Sequence, residues 1–185
     1  MSTSTALAFL KHVLPDDGWK VAIAKTPQGM HHRWVKSFEE QASFLERWSD
    51  SGYDTYHACA TYEEPGSSFS GRKRSKVYRL GSIWADIDTR EGKPSAPYAD
   101  RKEAAEALGQ FCLAASLPPP TIVNSGFGLH VYWPLQEPMP LHSWLPFAEG
   151  LKRLAARHGF KIDPSRTADA ASILRTPGTK NWKRN

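Results

Sequence analysis

The sequence predicts a mixed α/β or α+β domain with a partly antiparallel sheet. Segments with helical periodicity alternate with segments that alternate like strands, and short glycine turns join two pairs of the strand-like segments. Alternation of this kind, with hairpins, favours a sheet covered by helices. A length of 185 residues with 40% hydrophobic and 23% charged side chains suits one folded domain.

The first third of the chain predicts a helix, a hairpin, a second helix and a further strand. Leu7, Leu10 and Leu14 recur at helical spacing, and Pro15 ends that helix. A Pro-Gln-Gly turn joins the two strands of the hairpin, and a capping box starts the second helix. The expected elements are a helix at 4–14, strands at 19–24 and 30–35, a helix capped by Ser37 and Glu40, and a strand at 56–62.

The remaining chain predicts further alternation of strands and helices. Asp100 and Glu103 form a second capping box, and a run of prolines from Pro118 ends the helix that it starts. Pro146 fits the first turn of a third long helix. The expected elements are a polar loop at 63–75, a strand at 77–88 broken near Gly81, a helix to about 116, a strand–turn–strand unit at 121–133, a helix ending near Gly159, and a tail of loop and short strand.

Composition excludes several classes of protein. Two cysteines, Cys59 and Cys112, can form neither a disulfide framework nor a complete cysteine zinc site, and both are expected in the core. No apolar run approaches the roughly 18 residues of a spanning helix, and the N-terminus lacks the basic region of a secretory signal. We therefore expect a cytoplasmic protein with no membrane partner. The net charge of +5 suggests an anionic partner.

Asp86 and Asp88 form the first candidate site. Side chains two residues apart on a strand point to one face, so these carboxylates project together, away from Ile83, Ala85 and Ile87. Neighbouring carboxylates repel each other unless a cation lies between them, and such oxygen ligands suit Mg²⁺ or Mn²⁺. A strand end with two solvated acids is the alternative interpretation.

A glycine turn is the second candidate site. Ser125, Gly126 and Gly128 allow a tight bend that can face its N–H groups toward an anion, and His130 follows at the start of a strand. The imidazole can meet a phosphate oxygen in either protonation state. The turn lacks the Gly-Lys-Ser/Thr of a Walker loop and precedes a strand, unlike a dinucleotide fingerprint. An ordinary hairpin with a surface histidine is the alternative.

The segment 161–181 is the third candidate site. Asp163 stands between an apolar residue and a proline, where a strand is expected to end with its carboxylate exposed, and Asp169 is a second candidate acid. A Pro-Gly turn brings Arg175 and Lys180 near one another. An N-cap aspartate followed by a basic surface loop explains the same residues.

Five basic side chains in eight residues form the fourth candidate site. They lie at the end of the polar loop and the start of the strand that leads to Asp86, where they suit contacts with phosphates. A solvated charged loop is an equal explanation. The five residues are Arg72, Lys73, Arg74, Lys76 and Arg79.

Together and in this order, the motifs resemble the archaeo-eukaryotic primase superfamily, in particular the primase–polymerase domains of plasmid and phage replication proteins. Asp86-Ile87-Asp88 matches the family's first motif, and Gly128-Leu129-His130 matches its second, a small residue, any residue and histidine. Ile162-Asp163 matches the third, a hydrophobic residue before an acid. The stretch 125–132 also resembles the polymerase domain of bacterial end-joining ligases, and the resemblance spans about 56–181.

The resemblance implies an RRM-like catalytic sheet with helices, packed against an N-terminal α/β unit, with the active site in the cleft between them. It implies template-directed nucleotide addition from nucleoside triphosphates, with two Mg²⁺ or Mn²⁺ ions. Residues 1–185 would form one catalytic domain at the start of a longer replication protein. The implied metal ligands are Asp86, Asp88 and Asp163, with Asp169 as the alternative third acid.

The implied partners are a single-stranded DNA template with its primer, nucleoside triphosphates, and a helicase or C-terminal helical domain. The basic loop would contact the template backbone or the nucleotide tail. The implied triphosphate ligands are Ser125, Gly126, Gly128, His130, Arg175 and Lys180.

Two other functions compete with this interpretation. A rolling-circle replication initiator needs two histidines on one face of a strand, but His31 and His32 are adjacent and point to opposite faces. A non-catalytic RRM-like module that binds nucleic acid would display aromatic side chains on its central strands. Three acids gathered at one site would repel nucleic acid in the absence of a cation, which argues against that module.

Overall fold

The computed structural model describes residues 4–182, which form two antiparallel sheets flanked by helices. The strands are β1 (Lys20–Thr26), β2 (Gly29–Val35), β3 (Asp54–Ala58), β4 (Thr61–Tyr62), β5 (Val77–Asp88), β6 (Thr121–Asn124), β7 (Gly128–Met139) and β8 (Ile173–Leu174). The helices are α1 (Thr5–Val13), α2 (Phe38–Asp50), α3 (Arg101–Ala114), α4 (Leu141–Arg157) and α5 (Pro164–Thr167). The first sheet has the order β2-β1-β3-β8 and the second β4-β5-β7-β6, so the predicted α+β class is confirmed.

The first sheet is built on the predicted glycine hairpin. β1 pairs with β2 along its whole length, and the first five residues of β1 are buried. A serine begins each adjoining helix: the hydroxyl of Ser4 accepts from the backbone of α1, and that of Ser37, the predicted cap, accepts from the backbone of α2. Each cap satisfies an N–H group that the first helical turn leaves without a partner.

The second sheet is dominated by the long pair β5–β7, whose two faces meet different neighbours. Ala85 and Ile87 pack against side chains of α3 and α4. Trp84 and Tyr132, on the opposite face, belong to the core shared with the first sheet. Because strand side chains alternate, Asp86 lies on the same face as Trp84, between the two sheets.

Two predicted element boundaries are wrong. The strand expected at 56–62 is two strands in different sheets, because the chain passes from the first sheet to the second at Cys59 and Ala60. Helix α4 begins five residues before Pro146, which therefore lies inside the helix and removes one backbone hydrogen bond. Trp144 offsets that loss: its fully buried indole donates to the carbonyl of Ser82 and holds the first turn of α4 on β5.

Both cysteines are buried, as expected for core residues. Burial raises the pKa of both thiols, so neither forms a thiolate near neutral pH. Within residues 4–182, no helix combines the length and apolar character needed to cross a bilayer.

Candidate active site

Asp86 and Asp88 lie at the end of β5 and share one face, as the alternation of the strand requires. In the β5–β7 pairing, Asp86 is opposite His130 and Asp88 is opposite Gly128, so the first two motifs form one structural unit. The Asp86 side chain is 20% exposed and that of Asp88 is 37% exposed. Both line a cleft of about 570 Å³, whose other wall includes residues of the first sheet.

The third acid, Asp163, reaches the first two through a backbone hydrogen bond. Its N–H donates to the carbonyl of Asp86 at 2.8 Å. Asp163 also caps α5, because its Oδ1 accepts from the N–H and the hydroxyl of Ser165 at 2.8 and 2.6 Å. Both hydrogen bonds from Ser165 use Oδ1 of Asp163 and neither uses its other carboxylate oxygen. The N-cap interpretation and the acid-site interpretation of Asp163 are therefore compatible.

Repulsion among the three acids is concentrated on Asp86. Burial, and then the charges of Asp88 and Asp163, raise the pKa of Asp86 to about 7, against the opposing charges of Arg166 and Lys93. At Asp163 burial also favours the neutral form, but the hydrogen bonds from Ser165 and the nearby cations outweigh it and lower the pKa. Asp86 is therefore the carboxylate that a bound cation would stabilise most.

The donor chemistry of this site fits a divalent cation. Mg²⁺ and Mn²⁺ prefer carboxylate oxygens, and binding would favour the charged form of the repelled, buried Asp86. Within residues 4–182, no three acidic, histidine or cysteine side chains are drawn together closely enough to hold an ion as a ready-made group. Lys93 supplies local positive charge instead, with its Nζ 3.0 Å from Oδ2 of Asp88.

Several residues of the cleft were missed by the sequence analysis. Lys25 and Tyr56 contribute from the first sheet, and Lys93 and Arg166 lie close to the acids. Lys93 lies in an irregular loop, and Lys25 and Tyr56 lie in ordinary strands. No sequence pattern therefore identifies these three residues as part of a site. Arg166 carried one usable signal, because it lies three residues after Asp163 on the short helix that Asp163 caps.

The glycine turn closes partly on itself. The N–H of Ser125 donates to the carbonyl of Gly128 at 3.1 Å, and the N–H of Gly126 donates to Oδ1 of Asn124 at 2.9 Å. Two of the N–H groups expected to face an anion are therefore already bonded. Gly126 has a φ of +101°, a left-handed conformation that glycine adopts without strain. Ser125 lines the cleft.

Gly128 is needed for a close approach of two strands. A Cβ there would overlap the carbonyl oxygen of Ile87, beside Asp88. Because backbone atoms cannot move aside easily, we expect Gly128→Ala to lower the free energy of unfolding by about 2–3 kcal/mol in urea denaturation. The control is Gly109→Ala on α3, where an added Cβ meets nothing within 4 Å. This substitution should raise the free energy of unfolding by about 0.5–1 kcal/mol, because alanine favours the helix over glycine. Equal responses of the two variants would contradict the close-approach explanation.

His130 is buried in the β5–β7 pair and only 7% exposed, so the alternative of a surface histidine is wrong. Its Nε2 lies 3.7 Å from Oδ1 of Asp86. Burial lowers the pKa of His130 to about 4, although the backbone carbonyl of Arg175 favours the protonated ring. The imidazole is therefore neutral near pH 7 and adds no positive charge beside Asp86.

A second buried imidazole, His57 on β3, makes stability depend on pH. Burial lowers its pKa to about 3, from the ordinary histidine value of 6.5. Unfolding therefore takes up a proton below pH 6.5, and stability present above that pH is lost as pH falls toward 3. We expect this histidine to remove about 2 kcal/mol from the free energy of unfolding between about pH 7 and pH 5.

Urea denaturation at both pH values measures this effect. His57→Gln should flatten the pH dependence by that amount, whereas His142→Gln, at an exposed position of α4, should leave it unchanged. Asp86, whose pKa is raised, makes the protein more stable as pH falls over the same range. This contribution is the same in wild type and in both variants, so it cancels when their pH dependences are compared. Parallel curves for wild type and His57→Gln would show that His57 is not the titrating group.

The remaining candidates of the third motif divide between the cleft and other surfaces. Arg175 lines the cleft, is 4% exposed, and forms an ion pair with Asp54 at 3.0 Å. Lys180 lies near Arg175 as the Pro-Gly turn predicts, but through its backbone carbonyl, while its ammonium group lies over the ring of Trp182. Asp169 accepts a hydrogen bond from the backbone two residues further on and is not among the residues that line the described cleft.

The five basic residues of the fourth motif are also absent from the lining of the described cleft. Arg79 is near the start of β5, about 23 Å along the strand from Asp86. It pairs with Asp17 at 3.5 Å, and Lys76 pairs with Glu64. The geometry therefore does not favour contact of this loop with a nucleotide tail in the cleft.

The two adjacent histidines lie on opposite faces of β2, as predicted. His31 stacks on Trp48 with ring centroids 5.3 Å apart, whereas His32 meets the edge of Trp34 at 6.2 Å. A rolling-circle initiator needs its histidines on one face, so this arrangement disfavours that function.

The chain matches no protein-family model, and no curated protein is significantly similar to it in sequence. Solved structures do align with 97% of it. The archaeo-eukaryotic primase domain of the cyanophage S-2L primase–polymerase matches over 83% of that chain, with a TM-score of 0.64 at 15% identity. The catalytic domain of primase RepB′ in complex with initiator DNA matches over 80% of that chain, with a TM-score of 0.55 at 16% identity. The polymerase domain of Mycobacterium tuberculosis Ligase D in complex with DNA matches over 74% of that chain, with a TM-score of 0.55 at 14% identity.

The chain therefore has an archaeo-eukaryotic primase-like fold. Its two antiparallel sheets, with helices packed on them and a cleft between them, confirm the α+β architecture that the sequence motifs implied. The solved structures of similar fold are those of a primase–polymerase, a primase and a polymerase domain.

Proposed function

We propose that this protein is a template-directed nucleotidyltransferase, a DNA primase–polymerase that adds nucleotides from nucleoside triphosphates. One observation carries the proposal: Asp86 and Asp88 line a cleft with basic walls, and Asp163, from a distant segment of the chain, bonds to the backbone of Asp86 and adds its charge to theirs. Acids that bind cations, next to basic groups that bind phosphates, are what nucleotidyl transfer from a triphosphate requires. The functions named for the solved structures of similar fold support this class of enzyme.

The basic wall suits a triphosphate tail. It is formed by Lys25, Lys93, Arg166 and Arg175. Guanidinium groups bind phosphate oxygens through paired, charge-assisted hydrogen bonds, and the pairing of Arg175 with its carboxylate partner orients it in advance. The glycine turn adds Ser125 to the same cleft. The set predicted from the sequence to surround the triphosphate is Ser125, Gly126, Gly128, His130, Arg175 and Lys180. Of these, Ser125, His130 and Arg175 line the cleft, and we propose that Lys25, Lys93 and Arg166, which also line it, join them.

Asp86, Asp88 and Asp163 are the residues that would hold Mg²⁺ or Mn²⁺. Two such ions, when bound, lower the pKa of an attacking 3′-hydroxyl and neutralise a leaving pyrophosphate. His130 supports this arrangement because it is neutral near pH 7 and brings no cation to compete at Asp86.

A second, smaller depression of about 310 Å³ meets the first cleft at the acids. It shares Asp88 and Lys93 with that cleft and adds Asp163 and Lys161. In an in-line displacement the attacking hydroxyl and the leaving pyrophosphate lie on opposite sides of the reacting phosphorus. We therefore assign the larger cleft to the triphosphate and the smaller one to the 3′ end of the growing strand, where Lys161 can meet backbone phosphates.

The single-stranded template needs a basic surface outside both depressions. The loop of the fourth motif offers one, and Lys76 and Arg79 within it already pair with surface acids. Lys73 and Arg74, which are exposed, are therefore the stronger candidates for contacts with template phosphates, whereas Arg72 is half-buried with its Nε inside the protein.

Primer extension tests the proposal. The full chain is incubated with a primed single-stranded DNA, Mg²⁺ or Mn²⁺, and either deoxy- or ribonucleoside triphosphates. We expect the primer to lengthen with release of pyrophosphate, and a chelator to stop the reaction. Binding of DNA without incorporation under any of these conditions would contradict the proposal and favour the non-catalytic RRM-like module.

A further inference from the structure

The segment 175–182, which we call the C-terminal strap, bridges the two sheets at the cleft. It follows β8 at the edge of the first sheet, and two of its side chains, Arg175 and Asn181, line the cleft. Its Pro-Gly turn reverses the chain, so that Nη1 of Arg175 donates to the carbonyl of Lys180 at 3.0 Å. Both ends of the strap therefore lie beside the proposed triphosphate site.

The first sheet and its helix hold the strap at two residues. Oδ1 of Asp54, on β3, accepts from Nη1 of Arg175 and from the N–H of Trp182, each at 3.0 Å. At the end of α2, Ser49 accepts from the N–H of Lys180 with its hydroxyl at 2.8 Å, and from the indole of Trp182 with its carbonyl at 2.9 Å. The backbone on both sides of Asn181 is thus anchored to the first sheet and its helix α2.

Asn181 carries the strap across to the second sheet. Its Nδ2 donates to the carbonyl of Ser125 at 2.8 Å, in the turn between β6 and β7. The same side chain packs against Gly126, where an added Cβ would lie 2.5 Å from Nδ2 and 3.0 Å from the Asn181 Cβ. The amide therefore fixes both the direction of the Ser125 carbonyl and the space next to the turn.

We propose that Asn181 is a positioning residue that sets the glycine turn against the triphosphate, an inference that rests on the proposed function. Through Asn181, the cationic wall on the first sheet and the turn on the second are held at a defined separation. The loss of one such hydrogen bond has a net effect equivalent to about twofold to tenfold in binding. That loss should fall on triphosphate binding, because the Asn181 amide bonds to the glycine turn proposed to meet the triphosphate.

The test compares Asn181→Ala and Asn181→Leu with wild type in primer extension. Leucine has the branched shape of asparagine without the donor, so it separates the hydrogen bond from simple filling of space. We expect both variants to raise KM for the nucleoside triphosphate by about threefold to tenfold, with kcat within about twofold and unchanged affinity for primed DNA. The control is Gln110→Ala, which removes an exposed amide on α3.

Hydrogen exchange provides a second readout that needs no activity. The N–H groups of Ser125 and Gly126, which are bonded within the turn, should exchange faster in both variants, with the melting temperature and the protection of β1 unchanged. A wild-type value of KM in Asn181→Leu, or unchanged exchange in the turn, would overturn the inference. If wild type extends no primer, the proposed function fails, and the exchange measurement still decides whether Asn181 holds the turn.

Discussion

Asp86→Asn/Asp88→Asn is expected to abolish primer extension and to leave the protein folded. The substitutions keep the shapes of both side chains and remove the two charges that would hold a cation at the end of β5. Asp86 is buried and repelled by its neighbours, so its neutralisation should not destabilise the fold. We expect the rate of extension of a labelled primer to fall by at least about 1,000-fold, roughly 4 kcal/mol of transition-state stabilisation.

The matched control removes two acids from exposed helical positions, in Asp50→Asn/Glu106→Gln. Glu106 lies in a loose surface pair with Lys102 at 3.9 Å, and Asp50 is the last residue of α2. This control should extend primers at the wild-type rate, and the catalytic pair variant should still bind primed DNA. Extension by the Asp86/Asp88 variant within tenfold of wild type would remove these acids from the mechanism.

Asp54→Ala is expected to cause the largest loss of stability. The Asp54 and Arg175 side chains are 9% and 5% exposed, so the substitution leaves a guanidinium group buried without its carboxylate. Breaking one side of a buried ion pair costs about 3–5 kcal/mol. We expect a loss near the lower end, about 3 kcal/mol in urea denaturation, because the Tyr56 hydroxyl and the Lys180 carbonyl remain as acceptors for Arg175.

A double variant separates the unpaired charge from other effects of the substitution. Asp54→Ala/Arg175→Met removes both charges and should recover most of the lost stability, since an apolar side chain needs no buried partner. Asp50→Ala, at an exposed position, should change stability by less than about 0.5 kcal/mol. If the single and double variants were equally unstable, the ion pair would not be the source of the loss.

Much of the local structure was predictable because it depends on residues a few positions apart. Ser37 and Ser4 begin their helices by accepting hydrogen bonds from N–H groups three residues ahead. A cap of this kind depends only on nearby residues, so it can be recognised from the sequence. Asp86 and Asp88 share a face because a strand repeats every two residues. The boundary of α4 was wrong because the anchoring of Trp144 to Ser82 on β5 outweighs a local preference of proline.

The sequence by itself therefore determined the α+β class, the hairpins and the pairing of two acids on one strand. Only the tertiary structure decided that Asp163 donates its N–H to the backbone of Asp86, that Arg175 pairs with Asp54, and that Asn181 reaches the glycine turn. Each of these contacts joins segments that are far apart in the chain. Their distances follow from how two sheets pack over a shared core, which is set by many long-range contacts and not by any short pattern of residues.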